Sequence, residues 1–409
     1  MLPWQSVQNR ALVAAGWGAA GLGFTIPVSS LLDGILLVAV LGAWAISGFP
    51  ARLPQVCRES GPVLLLPAFF ALLALGTLHG VAPFGERAKH LWKYNDFLLP
   101  LVFVPIFLNP EVRQRALWGF AAGMTLTLVL SLLLATGLIP QVPWHHGYLG
   151  NATVFKHHLT HNIMMAFAAL LFAAMALRQQ TAWRGYGLGV LSCLAVADVF
   201  LFVQGRTGQV ILCALLLFWC GHHFGLRGFA VGLAAVAPLV AVLYAFSPPF
   251  QGHVELTLSE LERSQVEKVA PVTSSIGTRM DWYRHTAGLI AAHPVVGVGT
   301  GSFARAYADF VTDPGAVKPA HPHNQYLLTT AELGVAGALM LVGLFTLLWL
   351  TFRRAGGVLY GELGQGIVIT MAIGCAFNSL LVDHTEGLFF SWMVSMALAS
   401  QSPTSMGHT

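Results

Sequence analysis

Residues 116–138, ALWGFAAGMTLTLVLSLLLATGL, run on without one charged side chain. A helix of that length crosses the hydrocarbon of a bilayer. In lipid the backbone can bond only to itself, so a spanning segment is a helix or a strand of a closed barrel. The run shows no strict alternation of apolar and polar residues, which favours the helix. Similar runs recur near 11–28, 34–49, 61–78, 97–108, 162–177, 185–204, 208–221, 228–247, 325–352, 364–382 and 386–400. Only 9% of the residues are charged, against about 25% in a soluble domain. The sequence therefore predicts an all-α integral membrane protein with about twelve transmembrane helices, some of the runs being shorter than the ~20 residues of a full span. The first run is Gly-rich and lacks a clear cleavage site, so it reads as a retained span and not as a signal peptide.

Orientation follows from Lys and Arg, which collect in short loops on the cytoplasmic side. With the N-terminus inside, the inner segments hold Arg10, Arg52, Arg58, Arg113, Arg115, Arg178, Arg184, Arg227, Arg353 and Arg354. The outer short loops hold Arg87, Lys89, Lys93, Lys156 and Arg206, giving ten against five. Both termini are then cytoplasmic. The predicted organisation is helices one to nine over 1–247, one large, partly helical outer loop over 248–324, and helices ten to twelve with a short tail over 325–409. The loop contains the charge-mixed stretch ELTLSELERSQVEKV. Cys193, Cys213, Cys220 and Cys375 fall in spans and Cys57 in an inner loop, so no disulfide framework is expected. The net charge of +4 comes with no basic run, and no nucleic-acid partner is expected.

With this topology most of the sixteen histidines face outward, His321 and His323 among them as a compact H-x-H, while His222 and His223 sit inside. No H-E-x-x-H or comparable ligand set appears, so neither a metal nor another cofactor is expected. Arg206 occupies a connection of a few residues in FLFVQGRTGQVILCALLL. It either snorkels from a helix end to the interface or binds paired phosphate oxygens at membrane level.

In the long loop, SIGTRMDWYRHTAGLIAAHP reads as an amphipathic helix. Ile276, Met280, Tyr283, Ala287 and Ile290 form one stripe, Arg279 and Arg284 flank it on opposite edges, and His285 faces solvent. GVGTGS follows a helix and not a strand, so it is no nucleotide fingerprint and reads as a flexible turn. In HPHNQYLLTTAELGVAG, Pro322 disfavours helix at His321 and points that ring away from His323. Asn324 is an N-cap or a binding residue. His323 is an interfacial side chain or a general base on the lip of a membrane cavity. Glu332, about 180° around the helix from His323, reads as a buried, paired member of a polar network. Gly334 and Gly337 leave room for another helix. In GERAKHLWKY, Arg87, Lys89 and Lys93 suit the phosphates of a substrate or of anionic lipids.

HNQYLLTTAELGVAG resembles the signature of bacterial O-antigen ligases: a His-Asn pair (His323, Asn324), nine residues, then Gly-x-x-Gly (Gly334, Gly337). R-x-x-W followed by HPVVGVGTGSF, from Arg279 and Trp282 onward, is similar to the same superfamily, as is Arg206 in its short outer turn. O-antigen polymerases and protein O-oligosaccharyltransferases share the pattern. The resemblance implies an inverting glycosyltransferase of lipopolysaccharide assembly, facing the periplasm from the bacterial inner membrane. It would move O-antigen glycan from undecaprenyl pyrophosphate to a sugar hydroxyl of lipid A-core, without metal or nucleotide. Under this resemblance Arg206 and Arg279 hold the pyrophosphate, Arg284 competes for the second arginine's role, and His323 takes the acceptor proton. Asn324 and His321 line the same site. An O-antigen polymerase is the alternative. A protein O-oligosaccharyltransferase, or a proton-coupled transporter using Glu332, ranks behind, because the transporter is expected to show paired repeats.

Overall fold

The computed structural model describes residues 3–140, 151–246, 251–252, 255, 259, 275–313, 315–355 and 358–402. Among them are fifteen α-helices and no strand. In order these are α1 (Pro3–Thr25), α2 (Ser30–Ile46), α3 (Phe49–Glu59), α4 (Leu65–Gly76), α5 (Phe84–Trp92), α6 (Pro100–Phe107), α7 (Pro110–Ala135) and α8 (His158–Ala176). They continue with α9 (Ala182–Ala197), α10 (Arg206–Phe246), α11 (Ser275–Ala292), α12 (Phe303–Phe310), α13 (Gln325–Arg354), α14 (Leu359–Phe377) and α15 (His384–Ala399). Most of the charge-mixed stretch of the long loop lies outside the described residues.

Among the described residues, six segments are long and apolar enough to cross a membrane, or seven if the bent pair α3–α4 forms one span. The chain is a multi-pass membrane protein. Other apolar runs form helices too short to cross singly: 17 residues in α2, 8 in α6 and 16 in α15. Local signals set several starts. Asn109 caps α7 by accepting from the amides of Glu111 and Val112, with Pro110 in the first turn. Ser29 caps α2 through the amide of Leu32.

The core sits around α15, which is buried along nearly its whole length. Phe389 stacks on Phe120 at 5.1 Å, Trp392 meets Phe107 edge-on at 5.9 Å, and the Trp392 indole N–H donates to the carbonyl of Ala19. That donation lets a Trp lie fully buried without an orphaned donor.

Two helices break at a glycine with almost the same backbone. Gly225 in α10 has φ 64° and ψ −153°, and Gly334 in α13 has φ 62° and ψ −154°. Side chains with a Cβ rarely adopt this conformation. Each is followed three residues later by a second glycine, Gly228 or Gly337. A methyl group there would meet the carbonyl eight residues back, that of Cys220 or Thr329. At Gly225 the chain folds back far enough for Gly232 to approach Leu217 and Cys220. The two arms correspond to the two apolar runs at 208–221 and 228–247. At Gly334 the break corrects the expected single helix over 325–352. Residues 325–333 form a short arm, and a longer arm runs from the glycine to Arg354.

The partner at Gly334 is also different from the one expected. It admits a loop, not a helix: the Val335 amide donates to the carbonyl of Pro294, and Val295 fills the space a methyl group would need. This loop runs on into GVGTGS at 297–302, which is no flexible turn. Gly297, Gly299 and Gly301 all have positive φ. Val298 and Gly299 donate to the carbonyls of Ala331 and Glu332, and Thr300 donates to that of Gly76. Glu332 is wholly buried and accepts from the Gly301 amide at 2.9 Å, with His90 Nε2 at 3.6 Å. The expectation of a paired Glu332 holds, and its partner is the backbone of the loop.

The amphipathic reading of α11 needs rotation. Met280 and Ala287 of the expected stripe are exposed, whereas Thr286 and Leu289 are buried. His285, expected in solvent, reaches the hydroxyl of Tyr307 on α12 at 3.1 Å. The helix is gripped from two sides, by α13 and α12, so no single apolar stripe defines its buried face.

Candidate functional site

His323 is the one non-glycine residue with positive φ among the described residues, at 52°. Such conformations persist only where the surroundings impose them, and they gather at functional sites. Here the surroundings are specific. Asn324 accepts from the Leu327 amide as the N-cap of α13 and donates its amide to the carbonyl of Ala376 on α14. The hydroxyl of Tyr283 donates to the His323 carbonyl. Trp282 lies parallel to the His323 ring at 5.2 Å and 17°, and its own N–H donates to the carbonyl of Val317.

His323 Nδ1 is 2.9 Å from Oδ1 of Asn378, the residue that ends α14. A carboxamide oxygen can only accept, so this contact places the proton of the neutral ring on Nδ1. It leaves the lone pair of Nε2 free. Burial lowers the His323 pKa below its ordinary 6.5; the Asn378 bond opposes this and nearby Arg279 adds to it. The ring is neutral at neutral pH, as a proton acceptor must be.

His321 does not point away. Its ring is 4.4 Å from that of His323, and its Nδ1 accepts from the His323 amide. The left-handed backbone at His323 curls the chain tightly enough to bring the two rings together despite Pro322. Burial, followed by His323, Lys93 and His90, holds the His321 pKa down to about 4. His90 is likewise held near 4 by burial and Lys93.

The two candidate arginines of α11 separate. Arg284 is 76% exposed and pairs with Asp281 at 3.3 Å. Arg279 lies within electrostatic range of His323 and of His158 at the start of α8, and has no hydrogen bond or ion pair among the described residues. Arg206 opens α10 and is likewise unpaired among them. One turn along α8 from His158, Asn162 packs against Gly205 and Gly208 on either side of Arg206. The starts of α8 and α10, the end of α14, and α11 thus gather Arg206, Arg279, His158 and His323 at one end of the bundle.

The basic segment GERAKHLWKY divides. The Arg87 guanidinium donates to the Thr77 carbonyl at 2.6 Å, holding the α4–α5 connection. Lys89 and Lys93 are exposed, and Lys93 is near enough to act on His321 and on Asp383. Sequence reasoning missed Asn378, because a lone Asn after an apolar run carries no motif and lies 55 residues from the histidine it orients.

Comparison with known proteins bears on the same region. Residues 191–342 match the family model described as O-antigen ligase. That stretch is an O-antigen ligase family domain, and it contains Arg206, Arg279, His323 and Asn324. The family implies a lipid-linked glycan transferase of the ligase or polymerase type. No curated protein matches the chain. Among solved structures, a chain described as "Structural coordination of polymerization and crosslinking by a peptidoglycan synthase complex" is similar over 83% of this chain and 95% of its own. The two share 16% identity, with a TM-score of 0.46, and a likeness of that size carries no functional weight.

Proposed function

We propose that the protein is an O-antigen ligase, an inverting glycosyltransferase that moves O-antigen glycan from undecaprenyl pyrophosphate to a hydroxyl of lipid A-core. The observation that carries this reading is the ring of His323. Its Nδ1 is tied to Asn378, and among the described residues its Nε2 has no hydrogen-bond partner and nearby Arg279 has no counter-ion. In the step proposed, the acceptor hydroxyl attacks the anomeric carbon and gives its proton to Nε2. The bond from that carbon to the pyrophosphate oxygen breaks on the opposite side. Arg206 and Arg279 take up the charge on the leaving pyrophosphate, which paired guanidinium donors bind well. Asn378 acts as a positioning residue through His323. Lys93 and Lys89 meet acceptor phosphates or anionic headgroups, with Arg87 committed to the backbone.

The reading includes about twelve spans, in which the short helices α2, α6 and α15 join their neighbours and the arms of α10 count separately. It also places both termini in the cytoplasm and the His323 end at the periplasmic face of the inner membrane.

The test is transfer by purified protein supplied with undecaprenyl-pyrophosphate glycan, with and without lipid A-core. Polymer appearing on lipid A-core supports the ligase. Glycan chains that lengthen on undecaprenyl when no lipid A-core is present would assign the chain to the polymerases instead. His323→Ala should lower turnover about 10²–10⁴-fold, the usual worth of general-base help, with donor binding kept. Lost donor binding with unchanged single-turnover chemistry would make His323 a binding residue.

A further inference from the structure

The helices that carry the His323 end also carry a second cluster at their other ends. In α14, Asn378 follows the last turn and Glu362 lies in the first. In α10, Arg206 opens the helix, and His222 and His223 precede the break at Gly225. Arg178 lies just past the end of α8, whose start holds His158. At 1.5 Å per residue these separations are about 24–30 Å, a membrane thickness. The second cluster therefore sits on the opposite face from the proposed chemistry.

Glu362 is wholly buried. Arg178 Nη2 is 2.9 Å from its Oε2, and His223 Nε2 is 3.0 Å from its Oε1. Those contacts balance the carboxylate. They leave His222 unexplained: its ring packs against Phe218 and His223 and has no hydrogen bond among the described residues. Ligand atoms of His222, His223 and Glu362 all lie within 4.8 Å of one another, the only such group of three among the described residues. Two consecutive half-buried imidazoles stand at a glycine break, over a fixed carboxylate whose second oxygen is held by an arginine.

We infer that His222, His223 and Glu362 form a binding site for a divalent transition metal of the zinc class, clamping α10 to α14 on the face opposite His323. Two imidazole nitrogens and one carboxylate oxygen are donors that zinc accepts, with water in the fourth position. On binding, His223 turns its Nε2 lone pair to the metal and keeps its proton on Nδ1. Arg178 serves as the outer-shell partner that orients the carboxylate. No residue pattern pointed to this site, because His223 and Glu362 are 139 residues apart. The inference departs from the absence of metal expected from sequence, and it does not depend on the proposed transfer reaction.

The test uses untagged full-length protein in detergent micelles, stripped with chelator and titrated with Zn²⁺ by calorimetry and with Co²⁺ by visible spectroscopy. One zinc ion per chain, a higher melting temperature, and Co²⁺ bands typical of nitrogen ligation are expected. His222→Ala should weaken zinc binding at least ~10-fold, the low end of what losing even an outer-shell partner costs. Its metal-free melting temperature should stay as in the parent protein, since His222 has no hydrogen bond to lose among the described residues. The double variant His321→Ala/His323→Ala should bind zinc as the parent does. A parent protein indifferent to zinc would overturn the site and leave an ion-pair network of Arg178, Glu362 and His223. So would zinc binding that survives His222→Ala and disappears in the outer double variant.

Discussion

The two ends of the α8, α10 and α14 group use arginine in opposite ways. At one end Arg178 is 28% exposed and locked to a wholly buried Glu362. At the other, Arg206 and Arg279 have no carboxylate or carbonyl partner among the described residues, although His323, Asn378 and Asn324 around them are tightly bonded. A guanidinium matched to a buried carboxylate is a cross-link, since removing it strands a charge in low dielectric. A guanidinium left open in an otherwise satisfied site is available to an anion from outside. The same residue type is thus a cross-link on one face and, in the function proposed, an anion-binding group on the other, and partner geometry tells them apart.

The sharpest way to break this contrast is to remove each arginine and read both activity and stability. Arg206→Ala and Arg279→Ala should each lower transfer about 10²–10³-fold, the usual loss for one donor to a developing negative charge, with unchanged thermal unfolding. Lysine at either position should restore little, because a point charge lacks the paired fork. Arg284→Ala serves as the control and should change neither quantity appreciably. A dead Arg284→Ala beside an active Arg279→Ala would reverse the assignment.

Arg178→Ala should show the mirror image. It leaves one oxygen of Glu362 buried without its counter-charge, at a cost of about 3 kcal/mol. Transfer per folded molecule should stay near normal, measured against the fraction of protein that remains folded. A large drop in specific transfer with intact stability would erase the distinction between the two ends.

The paired glycine breaks sharpen the contrast further, since one belongs to each face. Gly225→Ala meets no neighbour within 4 Å, so it should cost only the backbone penalty, about 1–3 kcal/mol. Gly334→Ala carries the same penalty and also collides with the carbonyl of Val295. It should destabilise more, and it should lower transfer by displacing the short arm that holds Asn324. Equal melting temperatures for the two variants would show that the loop yields.

The smallest expected effect is in pH. His321 and His90 are held near 4 and His323 is also depressed, against an unfolded value near 6.5. In this window the unfolded chain binds more protons, so stability rises with pH. Their contribution is fully present above 6.5 and is lost as pH falls toward about 4. Unfolding midpoints measured from pH 7.5 to 4 should decline, and less steeply in His321→Gln. A midpoint that rises on acidification would contradict the depressed values. Transfer should fall over the same range as His323 becomes protonated.

The sequence by itself determined that this chain lives in a membrane, that it is helical, and that most of its candidate site residues fall in and around the 279–324 region. Those conclusions follow from local physics: apolar run length, the rarity of charge, and a histidine beside a proline and an N-cap. The Trp282 spacing also pointed to Arg279, which lies beside the histidine. Only the tertiary structure decided the rest. The ring of His321 turned toward His323 because of a left-handed backbone angle that no residue pattern encodes. The 325–352 run broke at Gly334 because a distant loop packs there, and a run of apolar residues reads alike whether straight or folded. Asn378 joined His323, and Glu362 joined His223, across 55 and 139 residues. Hydrogen bonds are short-ranged, and chain separation carries no information about which ends of a helix bundle will meet.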